Sequence, residues 1–452
     1  MNENQENAKI FFLQGLEEFN LQNYEKAEGL LLKALNLAPD RPSILLNLAA
    51  TLIKQQKLNE AKIHLENLIK IEPDNYLVLM NMATVYTNLR VFDKAHYFLD
   101  LALQYNSSNH ELLCNKGSVY RFTGNLDKAI EFYNLSLAQK NNYSFAKFNK
   151  SICDLSLENF QHGWKNYEYR ECINDEAVNK ISMPSVDSNI LILSEQGIGD
   201  VIMFSSILSL LSSYKKLTFL LDDRLLEVFA ASFPSINFYS QKDCKLNIND
   251  YSQIRVGSLA QFFIHSIDDF KKLNKPFLKP VPAKSKKVEK YIKDNKKNIG
   301  IYWHSTSKQL GKITKIPLMD ILKNINLDNK NIISIQDGDV LNEINKTTDE
   351  LNYSITLVDN FDLRNDIAEL TTLISQCDLI ISISSTVVHI AGAVGVPTII
   401  LSQFAPDWRY FQEPNRLVWY SNTFILKQKN LDDWSEPLKN LNQEIDRVLE
   451  NT

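Results

Sequence analysis

The chain has 452 residues, a formal net charge of −5, 44% hydrophobic and 23% charged residues. That length holds two or three domains with real cores, and the charge balance gives no support for a nucleic-acid partner. The polar, acidic start MNENQENAKI does not read as a secretory leader, and no run approaches the ~20 apolar residues of a membrane span. A cytoplasmic protein is expected. Its five cysteines lie far apart, without paired metal-ligand spacing, and read as reduced, buried thiols.

The first third repeats itself. Ala27, Ala61, Ala95 and Ala129 recur every 34 residues inside NYEKA, KLNEA, VFDKA and NLDKA. Gly15, Ala49, Ala83 and Gly117 form a second small-residue column, and Pro39 and Pro73 a third. Small residues let paired helices approach closely, and proline stops the second helix of each pair. The pattern resembles the tetratricopeptide repeat (TPR). About five units are expected over residues 1–172, the last one divergent, with Gly163 where the alanine belongs in NFQHGWKNYEYR.

A fourth column is polar. Asn47, Asn81, Asn115 and Asn149 share one register on the first helix of their units, where the first unit has Leu13. Asparagine is a mediocre helix former, so four in one column need a reason. An amide both donates and accepts, so it can pair with the backbone of an extended peptide without reading its sequence. The column resembles the asparagine ladder that lines the groove of O-GlcNAc transferase, which implies an acceptor protein held in the repeat groove. Capping or bridging between neighbouring repeats is the other use such amides find.

Periodicity stops after Cys172, and residues 173–188 read as a linker. Next comes NILILSEQGIGDVIMFSSILSLL (Asn189–Leu211), which has the grammar of a buried strand, a glycine turn and a helix. Strands Leu217–Leu221, Ile236–Ser240 and Ile254–Val256 alternate with helical stretches such as Asp223–Ala231, so residues 189–282 predict an α/β half. Lys275–Lys297 reads as a hinge connection with a helix near Ser285–Asn295. A second half, residues 283–452, is predicted from strand Asn298–Trp303, helix Leu318–Ile325, strand Asn331–Gln336 and helix Asn365–Gln376. DLIISISSTVVHIAGAVGVPTIILSQFAPDWRYF then gives a strand, a polar turn, a Gly/Ala helix and the strand Pro397–Leu401. An amphipathic helix, Asp432–Glu450, closes the chain.

An α-helical TPR solenoid followed by two Rossmann-like α/β halves is the layout of a repeat-bearing GT-B glycosyltransferase. EQGIGDVIMF and SSTVVHIAGAVGVPTIILSQFAPDWRYF resemble segments of bacterial tetratricopeptide glycosyltransferases, whose catalytic part is similar to the heptosyltransferases and more distantly to O-GlcNAc transferase. The resemblance implies transfer of a sugar from a nucleotide-sugar donor, a substrate rather than a cofactor, to a protein such as flagellin or another surface protein. Two rivals stay open: a non-catalytic TPR scaffold with a degenerate transferase half, and a transferase acting on a saccharide or lipid. Repeat arrays often pair, so an oligomer is open too.

Such transfer needs a clamp on the diphosphate and a base for the acceptor. No acidic pair is spaced for a metal, so a metal-independent mechanism is expected. Ser384, Ser385 and Thr386 stand between a strand and a helix, where hydroxyls and free N–H groups cradle phosphate, unless they are ordinary caps. His389, one turn on, could donate to the phosphate or the ribose. Gly392 and Gly395 allow close packing of that helix. In the basic loop His304–Lys315, Ser305 and the lysines Lys308, Lys312 and Lys315 are the candidates for donor phosphate, Lys308 slightly ahead of the other two; a solvated loop is the bland reading. Asp200 is the candidate base, matching an aspartate of the heptosyltransferases, although the same placement suits an N-cap; Glu195 is the second carboxylate. Gly197 and Gly199 lack the full dinucleotide fingerprint and make room for the donor sugar on the opposite lip of the cleft. Trp408 could stack on the base or sugar, or simply pack, and Arg409 could pair with phosphate.

Overall fold

The computed structural model describes residues 3–171, 175–179, 181–214, 216–305, 315–405, 407–411 and 415–450. The chain divides into two compact units, Met1–Cys153 and Asp154–Thr452.

The first unit is a run of antiparallel helix pairs: Glu3–Asn20 with Tyr24–Leu37, Pro42–Lys54 with Leu58–Ile71, Tyr76–Asn88 with Phe92–Tyr105, and His110–Phe122 with Leu126–Gln139. The repeated alanines explain the pairing. Ala27, Ala61, Ala95 and Ala129 are completely buried, so each second helix lies close against its partner. Asn75 and Asn109 cap the helices that follow them, accepting from Leu77 and from Glu111 and Leu112. Pro39 and Pro73 each fall two residues past a helix end, as chain-stopping prolines do. Leucines from successive repeats, Leu31, Leu48, Leu65, Leu79, Leu99 and Leu112, join one continuous apolar core.

The helix pair of the fifth repeat straddles the division between units. The Ser144–Ser156 helix carries the boundary, whereas Phe160–Tyr167 and the 3₁₀ turn Glu168–Glu171 belong to the second unit. Gly163 does fill the small-residue place: a Cβ there would lie 2.7 Å from Leu155.

The second unit holds two all-parallel sheets. In the first, β1 (Ile190–Leu193), β2 (Leu217–Leu221), β3 (Asn237–Ser240) and β4 (Ser252–Arg255) run in the order β3-β2-β1-β4. In the second, β5 (Lys297–Tyr302), β6 (Lys330–Ser334), β7 (Thr356–Leu357), β8 (Leu379–Ile383), β9 (Thr398–Ser402) and β10 (Thr423–Lys427) run in the order β10-β9-β8-β5-β6-β7. The order reverses between β5 and β8, the place where open α/β sheets bind ligands at their carboxyl ends. Both halves are therefore Rossmann-like, and the fold is a helical repeat region followed by a parallel-sheet α/β region.

Local details depart from the sequence pattern. The helix expected through Leu211 is α-helical only over Ile198–Ser205 and tightens to 3₁₀ over Ser206–Leu211. The helix expected near Ser285–Asn295 is one turn, Ser285–Val288, followed by a 3₁₀ turn. The strands β7 and β10 and the helix Leu341–Leu351 were not legible: β7 has two residues, and β10 lies beyond a tryptophan-rich loop. Among the described residues no helix is long and apolar enough to cross a membrane.

Candidate active site

The site forms where two strand–turn–helix units meet, one from each half. β8 is buried throughout and delivers Ser384 and Ser385 to the start of the Thr386–Val394 helix. Neither serine is spent as a helix cap. Ser385 Oγ lies 2.9 Å from Ser382 Oγ, and Ser384 Oγ lies 2.5 Å from the Tyr410 hydroxyl. His389 Nδ1 sits 3.1 Å from the Tyr420 hydroxyl. Burial, then the nearby Arg409 charge, pushes its imidazole down to about 4, so it is neutral at pH 7. Gly392 lets Tyr420 lie under the helix, since a Cβ there would be 2.3 Å from the ring. Gly395, at φ +87, closes the helix against Pro276.

From the first half, β1 runs into Glu195–Gln196–Gly197 and the helix Ile198–Ser205. Asp200 is not the N-cap, which is Gly197; it stands at the third helical position, where its Oδ2 accepts from the Gly197 N–H at 3.3 Å as in a capping box. Gly199 lies where the helices of the two halves pack against each other. A Cβ there would lie 3.0 Å from the His389 ring and 3.4 Å from Thr386 Oγ1. Two helix N-termini thus converge on one spot.

Arg409 joins them. Its Nε donates to Asp200 Oδ1 at 3.0 Å, Nη2 reaches the same oxygen, and Nη1 donates to Asp407 Oδ1 at 2.6 Å. Both partners of the Asp200–Arg409 pair are about four-fifths buried. Burial opposes the guanidinium charge, but Asp200 and Asp407 outweigh it and hold Arg409 firmly protonated.

Two candidates take other parts. Trp408 is only 4% exposed and packs with its ring centroid 5.6 Å from Trp164, 5.3 Å from Tyr167 and 6.1 Å from Phe411. It is core, unable to stack on a ligand. Glu195 is no free carboxylate either. Arg170 grips it with Nε at 2.9 Å and Nη2 at 2.6 Å, and the Gly257 N–H donates to it at 3.0 Å. Arg170 also faces Glu168 at 3.2 Å, and Ser258 donates to Glu168 at 2.7 Å. Burial raises the Glu195 carboxyl, and Arg170 works against that rise. These groups form a closed structural cluster.

Sequence reasoning missed a cavity of about 460 Å³ at the carboxyl ends of β6 and β7, lined by Gln336, Asp337, Val358, Phe361 and Arg364 among others. Asp337 accepts from the Tyr302 hydroxyl at 2.8 Å. The signal was present: Asp337-Gly338 directly follows the apolar run of the half's second strand, where Rossmann folds place a ribose-binding acid. Ser305 follows β5 on the same edge. Lys308, Lys312 and Pro406 lie outside the described residues. Among the described residues no cluster of His, Cys, Asp and Glu could hold a metal ion.

The asparagine column divides. Asn47 and Asn149 donate to carbonyls of their own helices, Ser43 and Phe145, each at 2.8 Å. Asn81 and Asn115, half-buried in the same register, show no such back-bond.

Residues 42–149 match the family model of the TT21 fifth ARM repeats domain. Protein FlbA of Caulobacter vibrioides is 23% identical over 292 residues, which cover 58% of this chain and 48% of FlbA. The chain thus spans about half the length of that curated relative. Among solved structures, a thermophilic TPR protein of Thermus thermophilus, TTC0263, is 21% identical with a TM-score of 0.35, over 38% of this chain and 95% of its own. The glycosyl transferase family 9 structure from Veillonella parvula is 13% identical with a TM-score of 0.43, over 60% of this chain and 99% of its own.

Proposed function

We propose that the Asp154–Thr452 unit is a glycosyltransferase that takes its sugar from a nucleotide-sugar donor, and that the repeats hold a protein acceptor. The observation that carries this reading is the convergence of two helix N-termini on the Asp200–Arg409 pair, at the reversal of strand order. On the donor side, the diphosphate lies at the N-terminus of the Thr386–Val394 helix, where the dipole and the Ser384 and Thr386 hydroxyls favour an anion. Arg409 supplies the cation and a planar fork of donors. The nucleoside occupies the cavity beside β6, with Asp337 accepting from ribose hydroxyls.

On the acceptor side Asp200 is the base. As the acceptor's heteroatom attacks the anomeric carbon, its proton passes to Asp200 and the bond from that carbon to the diphosphate oxygen breaks. The nucleoside diphosphate leaves with its charge borne by Arg409 and the helix N-terminus, which makes the reading metal-independent. In the free chain Arg409 is bonded to Asp200, so an arriving diphosphate competes for the guanidinium and releases the carboxylate. Neutral His389 serves as a hydrogen-bond donor rather than a second cation. Glu195 and Trp408 take no direct part. In this reading Asn81 and Asn115, whose amides do not turn back on their own helices, are the members of the column that meet the acceptor backbone.

A binding or scaffold role without turnover is the second reading, and the Asp200–Arg409 pair favours it by engaging both groups with each other. The purified full chain should be incubated with UDP-, GDP-, ADP-, CMP- and dTDP-sugars while melting temperature and nucleotide release are followed. The reading expects one nucleotide class to stabilise the fold and to be hydrolysed slowly. Silence across the panel would sink it, and stabilisation without release would select the scaffold.

A further inference from the structure

The segment Gly163–Arg170, GWKNYEYR, has repeat spacing but faces the α/β unit. Two of its side chains, nearly one helical turn apart, hold two successive residues of the turn that leads to Asp200. The Tyr167 hydroxyl donates to Gln196 Oε1 at 3.0 Å, and Arg170 grips Glu195 with two hydrogen bonds. The turn needs holding. Gln196 adopts φ +59, a left-handed conformation that a non-glycine residue takes at a cost on the order of 1 kcal/mol. Gly197, directly after it, is exposed and supplies no packing of its own. From there one turn of helix reaches Asp200.

The hold is itself braced. Arg170 is 1% exposed, and its remaining donors go to the Tyr167 carbonyl at 3.0 Å and to Ser258 at 3.0 Å, so both ends of the clamp are fixed. The Tyr167 ring packs between Trp164, Phe204 and Trp408, the last adjoining Arg409 in sequence. One short helix therefore touches the supports of both partners in the Asp200–Arg409 pair.

We infer that Tyr167 and Arg170 are positioning residues for Asp200: they fix the Glu195–Gly197 turn and thereby set where the base stands relative to the donor. This rests on the reading of Asp200 as the base. A base must lie within about 3 Å of the proton it takes, and a displacement of about 1 Å costs rate on the order of a hundredfold while leaving remote donor contacts in place.

The test uses Tyr167→Phe in the full chain, which removes one hydroxyl and keeps the packed ring, with Arg170→Lys as the stronger change. Amide hydrogen exchange across residues 195–201 reads the turn directly, with residues 386–394 as the internal control. Turnover is measured with whichever donor of the UDP-, GDP-, ADP-, CMP- and dTDP-sugar panel the wild type hydrolyses fastest. Tyr167→Phe should speed exchange in the turn about tenfold without affecting the control, and lower kcat about tenfold with donor KM within about threefold. In an Asp200→Asn background the same change should lower kcat no further. Unchanged exchange, faster exchange with unchanged kcat, or an equal loss in the Asp200→Asn background would each overturn the inference. A wild type that hydrolyses no donor fails differently: the reading of the site falls, whatever the exchange shows.

Discussion

The two turns that meet at Gly199 share one grammar and use it in opposite ways. Each follows a buried parallel strand and opens a helix, so each presents a positive helix end to the place where the halves meet. The Ser384–Thr386 turn brings hydroxyls and a neutral imidazole, which leaves that positive end available to an anion. The Glu195–Asp200 turn places a carboxylate on its own helix end and draws in Arg409 from the other half. In the proposed reading, similar backbones serve a phosphate side through the hydroxyls of Ser384–Thr386 and a proton-accepting side through the Asp200 carboxylate.

The largest effect that could break the comparison is expected at Arg409. Arg409→Ala removes the cation of the phosphate side and should lower donor turnover about a hundredfold or more, read as kcat/KM. A loss under threefold would mean that the Ser384–Thr386 turn binds the diphosphate alone.

Next in size is Gly392→Ala. The added methyl carbon would lie 2.3 Å from a Tyr420 ring that is 1% exposed, so it forces the helix or the ring to move. Overpacking of this kind costs about 1–3 kcal/mol. A thermal melt should show a drop of several degrees, and an unchanged melting temperature would contradict the tight contact beneath His389.

The smallest effect is a pH dependence. His389 is faced by Arg409, Asp200, Asp407 and the Tyr420 hydroxyl, and its pKa falls from 6.5 to about 4 on folding. The unfolded chain therefore binds a proton that the folded one refuses between these values. The stability due to neutral His389 is full above pH 6.5 and is lost as pH falls toward 4. With partial exposure discounted, the slope should amount to on the order of 1–2 kcal/mol. His389→Gln should flatten it, and an identical pH profile in the variant would refute the assignment.

Much of the architecture was legible because its signals are local and periodic. Alanines every 34 residues dictate helix pairs, and the buried strands β1, β2, β5, β6, β8 and β9 stand out as apolar runs. The short β7 carries no such run. The candidate site was legible in its residue types, with Thr386, His389, Asp200 and Arg409 all drawn to one place. What sequence could not show was who occupies whom. Glu195 and Asp200 stand five residues apart and look alike, yet one is locked by Arg170 and the other meets Arg409 of the other half. Trp408 and Arg409 are neighbours, one in the core and the other in the site. Such differences come from long-range partners, Arg170 and Trp164 among them, which spacing does not reveal. The same holds for Asn47 and Asn149, whose amides turn back on their own helices.

The central claim is that Asp200 accepts the acceptor's proton and, in the free chain, holds the arginine that the donor needs. Asp200→Asn tests both parts in one protein, by single-turnover transfer and by calorimetric titration with the donor identified from the panel. The account predicts transfer slowed at least about a hundredfold, with donor affinity equal to wild type or tighter because Arg409 is released. Transfer at the wild-type rate, or donor affinity lost together with transfer, would contradict it.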